Sequence, residues 1–157
     1  MENFVSIILP DGSIKQLPNG STSFDLANSI SAGLAKKVIA AKVNGVIKDL
    51  QDVLYANDKV LLIDVNHAEA LDILNHSCEH LLAAAVISLF ENAQVTMGPK
   101  SHTAGFYYDF DIGRPFSEED LAAIEKKMAQ LIKDGISFKK SWHSKEEAKE
   151  LFKRLGQ

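Results

Sequence analysis

The 157-residue sequence has one cysteine, one tryptophan and four prolines, and no uninterrupted apolar run near the ~20 residues of a membrane-spanning helix. With Cys78 alone, no internal disulfide can form, which fits a reducing compartment. The opening Met1-Glu2-Asn3-Phe4 lacks the basic start and small-residue cleavage site of a secretory signal, so a cytoplasmic location is expected. A basic field is also missing. Of the formal net charge of −4, residues 1–66 carry −1 (six basic, seven acidic), residues 67–116 carry −4 (two, six) and residues 117–157 carry +1 (nine, eight). No segment has the electrostatic footprint of a self-sufficient nucleic-acid binder. Repeats and low-complexity tracts are absent, and Gly98-Pro99 and Gly105 have turn spacing rather than that of a phosphate-binding loop. What is present, 46% apolar and 24% charged residues, suffices for one large domain or two small ones.

Two differently patterned halves follow one another, residues 1–64 and 65–157. In the first, Phe4 to Leu9 and Ile14 to Leu17 flank Pro10-Asp11-Gly12-Ser13, a turn in which proline presets one φ and glycine permits a positive one. Ser23 is the expected N-cap of a short helix over Phe24 to Ile30, stopped near Gly33. Val38 to Val43 and Val46 to Lys48 meet at Asn44-Gly45, the dipeptide of a type I′ hairpin, and Lys59 to Ile63 supplies a last strand. Strand pairs around one helix predict a small α+β sheet with the helix on one face.

From Asn66 the hydropathy period changes from 2 to 3.6. Ala68 to Phe90 predicts a long, mostly buried helix with a wide stripe of Leu71, Leu74, Leu81, Leu82, Ala85, Val86 and Leu89. Gln94 to Pro99 and Gly105 to Asp111 predict two strands separated by a loop holding His102. Ser117 with Asp120, and Ser144 with Glu147, are capping boxes that start two further helices, the first ending at Gly135 and the second before Gly156.

The residues most suggestive of chemistry are His76-Ser77-Cys78-Glu79-His80. Two histidines four apart share a helix face and can address one water, metal ion or substrate group, while Cys78, about 200° round from His76, belongs with the packing face. A metal would require a third ligand, for which His102, Asp109, Asp111 and His143 are candidates that spacing does not separate. The same five residues match H-x-x-E-H of zinc proteases, but three fixed positions carry little weight and little chain remains to enclose a peptide. Tyr107 and Tyr108 alternate across a strand, and a phenol near the histidines could donate to a developing oxyanion. Lys126-Lys127, Lys139-Lys140 and Lys153-Arg154, interleaved with glutamates, read as solvated helix faces.

In their order, Leu9-Pro10-Asp11-Gly12-Ser13, Gly33-Leu34-Ala35, Val43-Asn44-Gly45, His76 through Leu82, Met97-Gly98-Pro99 and Gly105 through Asp109 resemble the N-terminal region of bacterial threonyl-tRNA synthetases. The resemblance implies an α+β chain: a TGS domain, which is a ubiquitin-like β-grasp, over residues 1–64, and over 65–157 the first part of the editing domain shared with alanyl-tRNA synthetases. It further implies hydrolysis of seryl-tRNA mischarged on threonine tRNA, with His76 and His80 positioning or activating the water and Tyr108 contacting the substrate. No cofactor or metal is implied for residues 1–157 themselves. ATP and zinc would belong to a ligase catalytic domain outside them, and the partners would be the acceptor end of threonine tRNA and, through other domains, a second subunit. The family's further Cys/His cluster has no counterpart before Gln157, so the 157 residues alone are expected to hydrolyse seryl-tRNA poorly or not at all. Without the later domains, a TGS-containing module that docks RNA or a ribosome-associated partner is the other expectation.

Overall fold

The computed structural model describes residues 4–99 and 105–156. Its elements run β1 (Phe4–Ile8), β2 (Ile14–Pro18), α1 (Ser23–Ile30), α2 (Ala32–Ala35), β3 (Val38–Val43), β4 (Val46–Lys48), β5 (Val60–Asp64), α3 (Ala70–Leu89), β6 (Gln94–Val95), β7 (Phe110–Asp111), α4 (Glu118–Asp134) and α5 (Lys145–Arg154). The division between two compact units falls between Ile73 and Leu74, inside α3. No helix among the described residues is long and apolar enough to cross a membrane.

In the first unit β1 and β2 form an antiparallel hairpin, and β4-β3-β5 form an antiparallel sheet. A parallel bridge between Ile8 and Lys59, with Ile8 N–H donating to the Asp58 carbonyl at 2.9 Å, joins them in the order β2-β1-β5-β3-β4. Asn44 and Gly45 both take the positive φ of a type I′ turn, 52° and 85°. Asn44 also ties the turn to β5: its Nδ2 donates to the buried Asp58 carboxylate at 2.7 Å and its Oδ1 accepts from Lys59 N–H at 2.9 Å. The helix lies on one face, where Leu26 joins Ile7, Leu17, Ala41, Val43, Leu54 and Val60 in the core.

Two local expectations are corrected. The N-cap of α1 is Thr22, not Ser23, because Thr22 forms the reciprocal capping box with Asp25. Ser23 is the first helical residue, and its fully buried hydroxyl has no hydrogen-bond partner among the described residues. Nor does Gly33 stop the helix. The chain breaks at Ser31, whose hydroxyl accepts from Leu34 N–H at 3.0 Å and starts the short α2, with Gly33 inside it.

In the second unit α3 and α4 pack through Ala85, Val86 and Ile124, with Leu82, Phe90, Phe110, Phe116 and Met128 around them. The rings of Phe90 and Phe116 meet edge-on at 5.6 Å. The two expected strands shrink to the pairs β6 and β7, extended by Thr96 N–H to the Asp109 carbonyl at 3.1 Å and Asp109 N–H to the Met97 carbonyl at 3.0 Å. Gln94 Nε2 donates to the Gly156 carbonyl, linking this hairpin to the end of α5. Ser117 and Ser144 cap α4 and α5 with full capping boxes, and Gly135 ends α4 in the left-handed region at φ 65°. The expectation of a mostly buried α3 is overturned: Leu71, Leu74, Ile87 and Leu89 are exposed, since the core covers only part of a wide apolar stripe. Leu74, Cys78 and Leu81 instead line an open groove facing Leu131, Ile132 and Phe138.

The cap reassignment predicts opposite outcomes at adjacent positions. Thr22→Ala should cost about 1 kcal/mol in urea unfolding, whereas Ser23→Ala, which removes an unsatisfied buried hydroxyl, should leave stability unchanged or raise it. At the start of α4, hydrogen bonds from Arg114 and then from Ser117 hold the Asp120 carboxyl well below the usual carboxylate range. A depressed folded-state pKa stabilises above the unfolded value of ~3.9 and loses that contribution as pH falls below it. Thermal unfolding of Asp120→Asn should therefore start from a lower midpoint at pH 7 and fall less than wild type on acidification to pH 3; parallel curves would refute the assignment.

Candidate functional site

Helix α3 carries the candidate site on a single turn. The helical period brings His76 and His80 side by side, Nε2 to Nε2 at 3.1 Å, with ring centroids 4.5 Å apart and planes nearly perpendicular at 79°. At that separation one ring nitrogen donates and the other accepts. The His76 side chain is 56% exposed and His80 is also exposed, so the pair opens to solvent. Phe138, beyond the end of α4, places its ring 6.1 Å from that of His80.

Between the histidines in sequence, Glu79 points inward. It is 7% exposed, and its Oε2 lies 3.6 Å from His76 Nδ1, on the side of the ring away from His80. Gly98 closes over the carboxylate: a Cβ there would fall 1.8 Å from Glu79 Oε1 and 3.6 Å from Tyr108 Cδ2. This is a close approach that glycine alone allows. Tyr108 enters from the hairpin segment before β7, its ring 4.9 Å from that of Phe110. Burial, and secondarily the negative charge of Glu79, raise its phenol above the ordinary tyrosine range, so it remains a hydrogen-bond donor at neutral pH.

The two histidines are thus brought together, and Tyr108 comes in on the Glu79 side, while Tyr107 is exposed. His143 is bonded to Ser141 ahead of α5, at 2.9 Å, and His102 lies outside the described residues. Among the described residues no three His, Cys, Asp or Glu side chains are grouped to hold a metal ion. Sequence reasoning missed Glu79 as a buried neighbour of His76 and Gly98 as its cover. That Glu79 neighbours His76 was recoverable, since residue i+3 sits about 60° from residue i on a helix; its burial and its cover by Gly98 were not, because Gly98-Pro99 reads as an ordinary turn. Gly98→Ala should destabilise the protein by about 1–3 kcal/mol through overpacking. Combining it with Glu79→Ala should recover much of that loss in a double-mutant unfolding cycle, and strict additivity would refute the contact.

Comparison with known proteins completes the description. Residues 5–64 match the model of the TGS domain family. The chain is 46% identical over 155 residues to a threonine–tRNA ligase of Citrifermentans bemidjiense, covering 99% of this chain and 24% of that protein. It is 46% identical over 153 residues to that of Bartonella bacilliformis, covering 98% and 23%, and 43% identical over 157 residues to that of Brucella canis, covering 100% and 24%. It therefore spans about a quarter of the length of the curated relatives it matches. Residues 5–64 belong to the TGS domain family, within an α+β chain homologous along its whole length to the N-terminal regions of bacterial threonine–tRNA ligases.

Proposed function

We propose that this chain acts as the N-terminal part of a threonine–tRNA ligase, in which His76 and His80 belong to a hydrolytic site that clears serine wrongly esterified to threonine tRNA. The observation that carries the reading is the convergence of two solvent-open imidazoles at 3.1 Å, in a chain homologous to such ligases along its whole length. The chemical requirement is independent of any relative. Serine differs from threonine by one methyl, and one such group gives only about 1–3 kcal/mol of discrimination, so a second sieve is needed.

Hydrolysis of the aminoacyl ester requires a water to give up a proton as its oxygen bonds to the carbonyl carbon. The tetrahedral intermediate then collapses with cleavage of the ester bond, and the ribose hydroxyl leaves with a proton returned to it. A neutral imidazole, with its reference pKa of ~6.5, can take and return that proton near neutral pH. The protonated phenol of Tyr108 supplies a donor for the substrate side. The acceptor end of threonine tRNA is the partner in this reading. In this reading ATP and zinc belong to the ligation step of the longer enzyme. The exposed apolar groove between α3 and α4 supports a site completed by further polypeptide.

The test uses protein expressed from the complete reading frame that contains this sequence. His76→Ala and His80→Ala should each lower seryl-tRNA deacylation by about a hundredfold or more, leaving threonyl-tRNA formation intact. Deacylation that survives both substitutions unchanged would sink the reading.

A further inference from the structure

We infer that the link between α4 and α5, through Phe138, Lys139 and Trp142, is the surface that holds the single-stranded 3′ end of an aminoacylated RNA and leads its ester to His76 and His80. The inference rests on the proofreading function proposed above and assigns its RNA contacts.

Residues 136–144 have no regular secondary structure, so Lys139 and Lys140 do not lie on a solvated helix face as their spacing suggested. From Gly135 to Lys145 the chain has three lysines and no aspartate or glutamate, a charge of +3 in a sequence whose total is −4. Lys140 is already engaged within the chain, and Lys139 is exposed. Among these cations stand two open aromatic rings, Phe138 at 58% exposure and Trp142 at 88%. An indole left in water forgoes a large hydrophobic gain. A planar base stacked on it recovers that area while a neighbouring phosphate meets an ammonium, which is how single strands are held without regard to sequence. A polypeptide partner favours a different composition, since lysine and serine are depleted where protein faces protein. Here three lysines and two serines lie within three positions of Trp142.

Phe138 ties the link to the chemistry. Its ring lies 6.1 Å from that of His80, whose Nε2 is 3.1 Å from that of His76. Four residue steps separate Phe138 from Trp142, a reach of at most ~14 Å, enough for a few stacked nucleotides at ~3.4 Å each. Helix α5 bounds the surface at its other end: Glu146, Glu147 and Glu150 line one hollow with His143 and Arg154, and that excess of negative charge repels phosphate. A bound strand therefore runs from Trp142 toward His80 and ends there. The terminal ribose of an aminoacylated tRNA carries the ester, so this direction brings the ester to the two imidazoles.

Trp142 is the only tryptophan, so its fluorescence reads stacking on this surface directly. Titrating the 157-residue chain with the 3′-terminal hexaribonucleotide of threonine tRNA should quench that emission saturably, whereas poly-glutamate, which has the charge without the bases, should not. Absence of quenching by the RNA, or equal quenching by both, overturns the inference. Lys139→Ala should flatten the dependence of log affinity on log salt by about 0.7, the share of one phosphate contact on a single strand; an unchanged slope overturns the role of Lys139. In protein from the complete reading frame, Trp142→Ala should raise KM for seryl-tRNA deacylation about fivefold or more with kcat little changed, and Trp142→Phe, which keeps a stacking face, should restore most of the loss. An unmoved KM, as when further polypeptide covers the ring, overturns the inference. If quenching and salt dependence are as expected but deacylation survives both His76→Ala and His80→Ala, the proofreading reading fails and takes with it the presentation of an ester by this surface. Loss of deacylation in both histidine variants, with Trp142 unquenched by RNA, overturns the surface alone.

Discussion

Three side chains within five residues of α3 can act together because one helical turn takes about 3.6 residues, which sets His76, Glu79 and His80 on adjacent parts of one face. The arrangement asks little of the rest of the chain for the meeting of the two imidazoles, which any regular helix would produce. It asks much more for the carboxylate. Glu79 is buried where the hairpin segment with Gly98 and Tyr108 lies over it, and that segment is held by the β6–β7 ladder and its extension through Thr96, Met97 and Asp109. The ladder is anchored in turn by Phe110, which packs with Phe90 and Phe116 against α3 and α4. Local periodicity thus supplies the histidine pair, and a short tertiary contact decides the environment of the acid between them.

The two compact units manage burial differently. In the first, a five-stranded arrangement and one helix enclose Ile7, Leu26, Leu54, Val43 and Val60 almost completely. The Asn44–Asp58 contact satisfies a buried carboxylate while locking a turn to the neighbouring strand. In the second, helices α4 and α5 leave much apolar surface open, with Trp142 88% exposed and Phe138, Phe152 and Leu155 also exposed. Sharp caps at Ser117, Gly135 and Ser144 fix where these helices begin and end even though few of their residues are buried. Local hydrogen bonding therefore defines elements whose apolar faces lack cover among the described residues.

The legibility of the elements follows the same distinction. Asn44-Gly45, Ser117 with Asp120, and Ser144 with Glu147 were readable because each is a short-range hydrogen-bond or φ requirement contained within a few residues. Thr22 and Ser23 both carry a hydroxyl, but only Thr22 has an acid three residues on, the pattern that Ser117 makes with Asp120, so this cap was equally legible and was misplaced by one residue. In the structure the Asp25 carboxylate reaches back to Thr22, and Ser23 is fully buried. The apolar stripe of α3 marked a packing face but not how much of it would be covered, because coverage depends on the placement of α4.

By itself the sequence determined the α+β order of the main elements, the hairpin turns, the caps of α4 and α5 and the placing of His76 and His80 on one helix face, since each is set by dihedral preferences or by a period of a few residues. Tertiary structure alone decided that Glu79 is buried, that Gly98 closes over it, and that Tyr108 feels its charge. Those outcomes join residues some twenty to thirty positions apart, whose meeting depends on how a hairpin and two helices pack. No local pattern encodes that meeting, because desolvation and close approach are properties of the packed interior rather than of any one segment.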